Sequence, residues 1–87
     1  MKKAIIISII MLSILIAEAP MAFAIDFFST RLAAHNHCPH DTVVWLNTAT
    51  GIWHYKGERW YGNTRQGAYV CEREAARAGD RGTENGQ

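Results

Sequence analysis

Three histidines and a cysteine lie close together in the stretch HNHCPHD, residues 35–41. Imidazole nitrogens and thiolate sulfurs are ligands that suit Zn²⁺ and copper. The order H-x-H-C-x-H is not a standard structural zinc spacing, and a bridged cysteine would leave only imidazoles. If a metal binds, its candidate ligands are His35, His37, His40 and His54. The alternative is a polar loop with exposed histidines, and we predict no cofactor.

A cysteine paired with a histidine is also the pattern of a nucleophile with its general base. Cys71 and His54 are the candidate pair. Catalysis would further need an orienting group and an oxyanion site, and so small a domain has little room for a substrate cleft. We therefore predict that the protein is not an enzyme and assign no catalytic residues.

The stretch GIWHYKGERWYG, residues 51–62, concentrates aromatic side chains between glycines. Aromatic and cationic side chains together can stack on bases or sugars. The candidate ligand contacts are Trp53, His54, Arg59, Trp60 and Tyr61.

The same aromatic side chains can instead form the core, because each supplies a large buried area. We expect Trp45, Trp53, Trp60 and Tyr69 to be mainly core residues. Trp53 and His54 are neighbours on a predicted strand, so one of the two should face outward. Trp60 should pack inward and hold its loop.

The chain begins with an export signal. Lys2 and Lys3 precede the apolar run AIIISIIMLSILIA of about 14 residues, and Ala22 and Ala24 form an A-x-A cleavage site. A membrane-spanning helix would need about 20 apolar residues. We predict a signal peptide over residues 1–24, cleaved near Ala24, and no stable membrane anchor afterwards. The protein should then lie in the periplasm or outside the cell.

The charge of the mature chain argues against a nucleic-acid partner. Nine Lys and Arg and eight Asp and Glu occur in the whole chain, and cleavage removes Lys2, Lys3 and Glu18. Seven residues of each sign remain, so the mature net charge is zero. Nucleic-acid binders usually carry a basic excess. A nucleic-acid partner is therefore not favoured, and the partner is unknown.

The two cysteines, Cys38 and Cys71, predict a disulfide. Export places them in an oxidising compartment, and an even number of cysteines in a short exported chain indicates a disulfide framework. Closing so long a loop contributes roughly 3.8 kcal/mol by chain entropy, a large share of the stability of a small domain. Metal ligation, an intermolecular bridge and free thiols are the alternatives.

The mature chain predicts a small α+β fold. Residues 25–41 form an N-terminal arm and a His-rich loop, with a helical turn and an extended arm both open. Residues 42–81 form a compact mini-domain, and residues 82–87 are expected to be a disordered tail. The mini-domain's predicted elements are a β-hairpin over 42–55, a third short strand over 68–71, and a helix from Glu72 that ends at Gly79.

The segments NTATGIWHYKGERWYGNT and YVCEREAARAG resemble a short bacterial module called the sunset domain. Similar segments end some exported thermonuclease-like proteins and also form small stand-alone exported proteins. The shared pattern comprises Asn47, Gly51, Trp53-His54, Gly57, Arg59-Trp60-Tyr61, Thr64, Tyr69, Cys71, Gly79 and Arg81. The resemblance implies a compact hairpin-plus-helix unit without an assigned catalytic role.

The chain departs from this pattern at three positions. Asp80 stands where an aromatic residue is usual. Zinc-binding relatives have a Cys ligand where this chain has Glu58 and a Pro where it has Lys56. These two changes argue against carrying the zinc site over.

The predicted function is that of an exported, small, non-enzymatic accessory or binding module. Two alternatives stay open. One is a metal-binding protein that uses the histidine cluster. The other is a DNA-associated module, by analogy with the nuclease-attached relatives.

Overall fold

The computed structural model describes residues 24–87. The predicted signal peptide therefore lies outside the described residues, apart from Ala24. The elements are α1 (Arg31–His37), β1 (Val43–Asn47), β2 (Ile52–His54), β3 (Gly67–Cys71), α2 (Glu72–Arg77) and β4 (Arg81–Gly82). The strands form one four-stranded sheet in the order β3-β1-β2-β4, which confirms the predicted α+β class. Within residues 24–87, no helix has both the length and the apolar character needed to span a bilayer.

The predicted hairpin is formed by β1 and β2, which pair antiparallel with Trp45 opposite His54 and Asn47 opposite Ile52. Asn47 organises its turn, because its carbonyl accepts the Gly51 N–H at 2.9 Å and its side-chain Oδ1 accepts the Ala49 N–H at 3.0 Å. Gly51 takes a φ of +74°, as a glycine at this turn position can. The local turn chemistry therefore sets the register of the hairpin.

The predicted third strand and C-terminal helix are also present. β3 pairs antiparallel with the other edge of β1, and α2 follows it directly. Asp41 supports the start of α2 from outside the helix, because its Oδ2 accepts the Arg73 N–H at 3.0 Å. The helix ends before Gly79, whose φ is +96°, in agreement with the predicted glycine stop.

The main core lies between one face of the sheet and α2. Register places Val44 beside Val70, and Leu46 between Trp53 and Ala68, on this face. The buried members of the core cluster are Val44, Leu46, Trp53, Ala68, Val70 and Ala75. Ala34 of α1 is fully buried as well. Its carbonyl accepts the Cys38 N–H at 3.0 Å and lies 3.8 Å from Cys71 Sγ, so it packs beside the disulfide. The small side chain of Ala75 lets α2 approach the core face of the sheet closely.

The N-terminal arm combines the two conformations left open by the sequence. Phe28 extends the sheet by one bridge, since its N–H and carbonyl both bond to Tyr69 at 2.9 Å. Thr30 then caps α1 by accepting the Ala33 N–H at 3.1 Å. His35 and His37 therefore lie on a helix, and not in the loop that their polar surroundings suggested.

The predicted disulfide is confirmed between Cys38 and Cys71, whose Cα atoms are 6.3 Å apart. Cys38 is the residue at the C-terminal end of α1, and Cys71 ends β3. The bridge therefore joins α1 to the sheet at the point where α2 begins.

The expected disordered tail is not seen as such in the structure. β4 pairs in parallel with β2, with Gly82 opposite Trp53. Beyond it, the Thr83 N–H donates to the Trp53 carbonyl at 3.0 Å, and the Trp60 N–H donates to the Gln87 carbonyl at 2.9 Å. Polar composition predicted disorder. In the structure, backbone hydrogen bonds connect this segment to β2 and to Trp60 in the connection between β2 and β3.

Candidate functional site

The second face of the sheet is aromatic at its centre. Trp45 pairs with His54 on one side and with Tyr69 on the other, so these three side chains share the face. The rings of Trp45 and Tyr69 pack edge to face with centroids 4.9 Å apart. An apolar face of this kind must be covered if the domain is to remain folded.

The cover is the loop that joins β2 to β3, residues 55–66. Thr64 anchors it, since its Oγ1 accepts the Trp45 Nε1–H at 2.8 Å. Tyr61 packs its ring 5.6 Å from that of Tyr69. Burial raises the pKa of Tyr61, and Tyr69 acts in the same direction, while the Arg31 guanidinium acts against them. Tyr61 therefore serves as a packing residue under the loop.

Glu58 closes the first turn of this loop. Its Oε1 accepts the Tyr55 N–H at 2.6 Å, and its own N–H donates to the Tyr55 carbonyl at 3.0 Å. The carboxylate thus has a structural use in the loop, because it fixes the turn at Tyr55.

Between the loop, the sheet and the C-terminal segment lies an open cavity of about 450 Å³, which we call the polar groove. The sheet side contributes Asn47, Thr50, Ile52 and His54, the loop contributes Trp60, Asn63, Thr64 and Arg65, and the C-terminal segment contributes Thr83, Asn85 and Gln87. Its volume falls within the range of about 300–1,000 Å³ that is usual for small-molecule sites. Among residues 24–87, Arg65 is the one lining residue with a charged side chain.

His54 is the most deeply buried polar residue of the groove wall, with 7% of its surface exposed. Its Nδ1 has no hydrogen-bond partner among residues 24–87. Trp53, next to it, is also 7% exposed, on the core face. The expectation that one of these two faces outward is therefore wrong, because the loop and the C-terminal segment bury the second face of the sheet.

Trp60 is only half-buried and belongs to the groove wall. The Arg59 guanidinium lies 4.8 Å from the centre of its indole ring but is not part of the groove lining. Arg59 therefore covers Trp60 from outside the groove. Among the four aromatic residues expected in the core, Trp53 alone is buried, and Trp45, Trp60 and Tyr69 are half-buried.

The structure thus divides the predicted contact residues. His54 and Trp60 line the groove, Arg59 supports Trp60, Tyr61 packs on Tyr69, and Trp53 lies in the core. Sequence reasoning missed the amide and hydroxyl residues of the lining. Asn63 follows the aromatic stretch directly, and this proximity was a signal available for it.

The candidate metal ligands His35, His37, His40 and His54 do not lie together as one set of potential ligands among residues 24–87. Among residues 24–87, the one set of three potential ligand side chains with donor atoms within 4.8 Å is His37, Cys71 and Glu74. Cys71 is in the disulfide and offers no thiolate. His35 and His40 are exposed, and His54 is buried in the wall of the polar groove.

Two carboxylates, those of Asp26 and Glu74, contact His37. Its Nε2 lies 2.8 Å from Glu74 Oε2 and 3.3 Å from Asp26 Oδ2. Its ring also packs 5.2 Å from that of Phe28. These contacts join the N-terminal arm, α1 and α2.

The candidate nucleophile Cys71 is bonded to Cys38 in the disulfide. It therefore has no free thiol to pair with His54.

Comparison with known proteins gives no relative for this chain: no protein-family model, no curated protein and no solved structure matches it. The resemblance to the sunset domain therefore stays a prediction.

Proposed function

We propose that this protein is an exported, non-enzymatic binding module, acting in the periplasm or outside the cell, whose polar groove holds a small polar molecule. The observation that carries the proposal is the groove itself. The cavity of about 450 Å³ has the volume of a small-molecule site, and polar side chains from the sheet, the loop and the C-terminal segment converge on it.

His54 supports the same proposal. Buried polar atoms are almost always hydrogen-bonded, and an unpaired one costs about 1–3 kcal/mol. Nδ1 of His54 has no partner among residues 24–87, and the same holds for Trp53 Nε1 and the Tyr61 hydroxyl outside the groove lining. A polar molecule bound in the groove would give His54 Nδ1 a hydrogen-bond partner.

The lining argues against the DNA-associated alternative. Proteins that hold a phosphate backbone use several cations, whereas Arg65 is the sole charged side chain of the groove. Together with the zero net charge of residues 25–87, this favours a ligand that is neutral or carries a single negative charge.

A ligand screen by NMR tests the proposal. The chain is expressed with its signal peptide, and the exported, disulfide-bonded product is labelled with ¹⁵N. It is then titrated with separate pools of sugars, amino acids, organic acids and nucleotides. We expect one pool to shift the backbone and side-chain amide signals of Asn63 and the Trp60 indole signal.

Matched asparagine variants locate the binding. Asn63→Ala removes an exposed amide from the groove, whereas Asn36→Ala removes an exposed amide from α1. The first should weaken the titration and the second should leave it unchanged. If no pool shifts a groove signal at millimolar concentration, the groove is not a binding site and the proposal fails.

A further inference from the structure

The side chains of the polar groove restrict the class of ligand, and the argument that follows rests on the proposed function. Among the described lining residues no side chain is acidic, so the side chains offer no counter-charge to an amine or a metal cation. Ile52 and Trp60 add large apolar side chains to this lining. A molecule that has both an apolar surface and polar groups, and no positive charge, fits best.

The groove also offers hydrogen-bonding groups that the protein leaves unused. Neither Asn63 nor Arg65 makes a side-chain hydrogen bond or ion pair with any residue of 24–87. Asn47 uses its Oδ1 on the Ala49 N–H, which leaves its amide NH₂. The side-chain Oε1 of Gln87 accepts from Asn85 Nδ2, which likewise leaves an NH₂. Amides and a guanidinium around one cavity suit a ligand with several hydroxyl or carbonyl oxygens.

Trp60 adds a flat apolar surface to this polar set. Its indole is half-buried, so the groove retains part of it. Arg59 over the ring and the Trp60 N–H bond to Gln87 restrict its movement. A fixed aromatic ring loses little conformational entropy when a ligand packs on it.

We infer that the polar groove binds a carbohydrate, namely a pyranose ring that is neutral or carries one carboxylate. The C–H side of the sugar ring packs on the Trp60 indole, and the hydroxyl groups bond to Asn47, Asn63 and Gln87. The Arg65 guanidinium donates hydrogen bonds to a carboxylate or to a further hydroxyl oxygen. A pyranose has both surfaces that the groove requires. One side of its ring is apolar, and the hydroxyl groups around the ring donate and accept hydrogen bonds.

Titration of the exported, disulfide-bonded protein with defined probes tests this inference. Glucose, N-acetylglucosamine and glucuronic acid are compared with inorganic phosphate, benzoate, glycine and adenosine monophosphate by ¹H–¹⁵N NMR. At least one sugar should shift the Trp60 indole and Asn63 signals in a saturable way. Trp60→Ala should weaken that binding by roughly tenfold or more, the scale of a lost aromatic stack.

Matched variants control for general effects of the substitutions. Phe27→Ala removes an exposed aromatic ring from outside the groove and should leave sugar binding unchanged. Arg65→Ala should weaken binding of glucuronic acid more than that of glucose, while Arg77→Ala on α2 should do neither. If Trp60→Ala loses its fold, Asn63→Ala provides the same test at an exposed position.

Two failures are distinguishable. Groove signals that respond to a non-sugar probe and to no sugar would overturn the carbohydrate inference and leave the binding function standing. If no probe shifts a groove signal, the carbohydrate inference and the proposed binding function are both wrong. Sugar binding that Trp60→Ala and Asn63→Ala leave intact would place the site elsewhere and also overturn the inference.

Discussion

Gly67 shows how closely the second face of the sheet is packed. A Cβ atom at this position would lie 2.5 Å from Cε2 of Trp45 and 2.8 Å from Oγ1 of Thr64. Gly67→Ala should displace the indole and break its hydrogen bond to Thr64. We expect the free energy of unfolding to fall by about 1–3 kcal/mol, the usual cost of overpacking, as measured by chemical denaturation.

The control for Gly67 is the same substitution in a Trp45→Leu background. The smaller leucine leaves room for the added methyl group, so alanine should cost less there than in the wild type. Equal costs in the two backgrounds would contradict the steric explanation.

Asp80 predicts a pH dependence of stability. Burial raises the pKa of its carboxyl above the ordinary value of 3.8. The folded protein therefore binds this proton more tightly than the unfolded chain does. The resulting stabilisation is complete below pH 3.8 and is lost as the pH rises through the raised value.

Asp80→Asn keeps the shape of the side chain and removes its ionisation. The variant should melt at a higher temperature than the wild type at pH 7, and the difference should shrink on acidification to about pH 3, below the ordinary Asp pKa. Glu84→Gln, at an exposed position, controls for the loss of one negative charge. If the Tm difference between Asp80→Asn and the wild type grew on acidification, it would contradict this prediction.

Among the elements, α1 depends most on the disulfide. It has seven residues, too few to be helical alone, and Cys38 ties its end to β3. The bridge links residues 33 positions apart. The double variant Cys38→Ser/Cys71→Ser should lose about 2–5 kcal/mol in free energy of unfolding, and its α1 amides should exchange hydrogen faster than those of β1.

Chemical reduction of the wild type provides the comparison for the serine variant. Reduced protein and the variant should melt at similar temperatures, both below the oxidised protein. An oxidised and a reduced form with the same Tm would show that the bridge contributes nothing to folded stability.

At the scale of the whole molecule, the predicted cleavage site immediately precedes a residue that packs on the core. Ala24 is exposed, whereas Ile25 is partly buried against the core cluster. Cleavage after Ala24 therefore leaves the core contact intact. The intact mass of protein recovered from a periplasmic fraction should begin at Ile25.

Ala24→Asp tests the same site, because signal cleavage requires a small residue immediately before the cut. The variant should accumulate uncleaved. A periplasmic wild-type product whose mass still includes residues 1–24 would contradict the export prediction.

Local chemistry in the sequence determined the hairpin, β3, α2 and their ends. Asn47 and Gly51 specify a turn, β-branched and aromatic residues favour strands, and Gly79 ends the helix. Two cysteines in a short chain left one intramolecular pairing. Each of these predictions depends on residues within a few positions of one another or, for the disulfide, on counting alone.

Only the tertiary structure decided how both faces of the sheet are used. Trp53 and His54 alternate as strand neighbours must, yet both are buried, because residues 55–66 and 83–87 fold over the second face. The polar groove exists only where Asn47, Trp60 and Gln87 meet, and those positions are far apart in the chain. No local sequence pattern predicts that these three residues lie close together. Their proximity depends on the strand order and on the hydrogen bonds of β4 and Gln87 to residues distant in the chain.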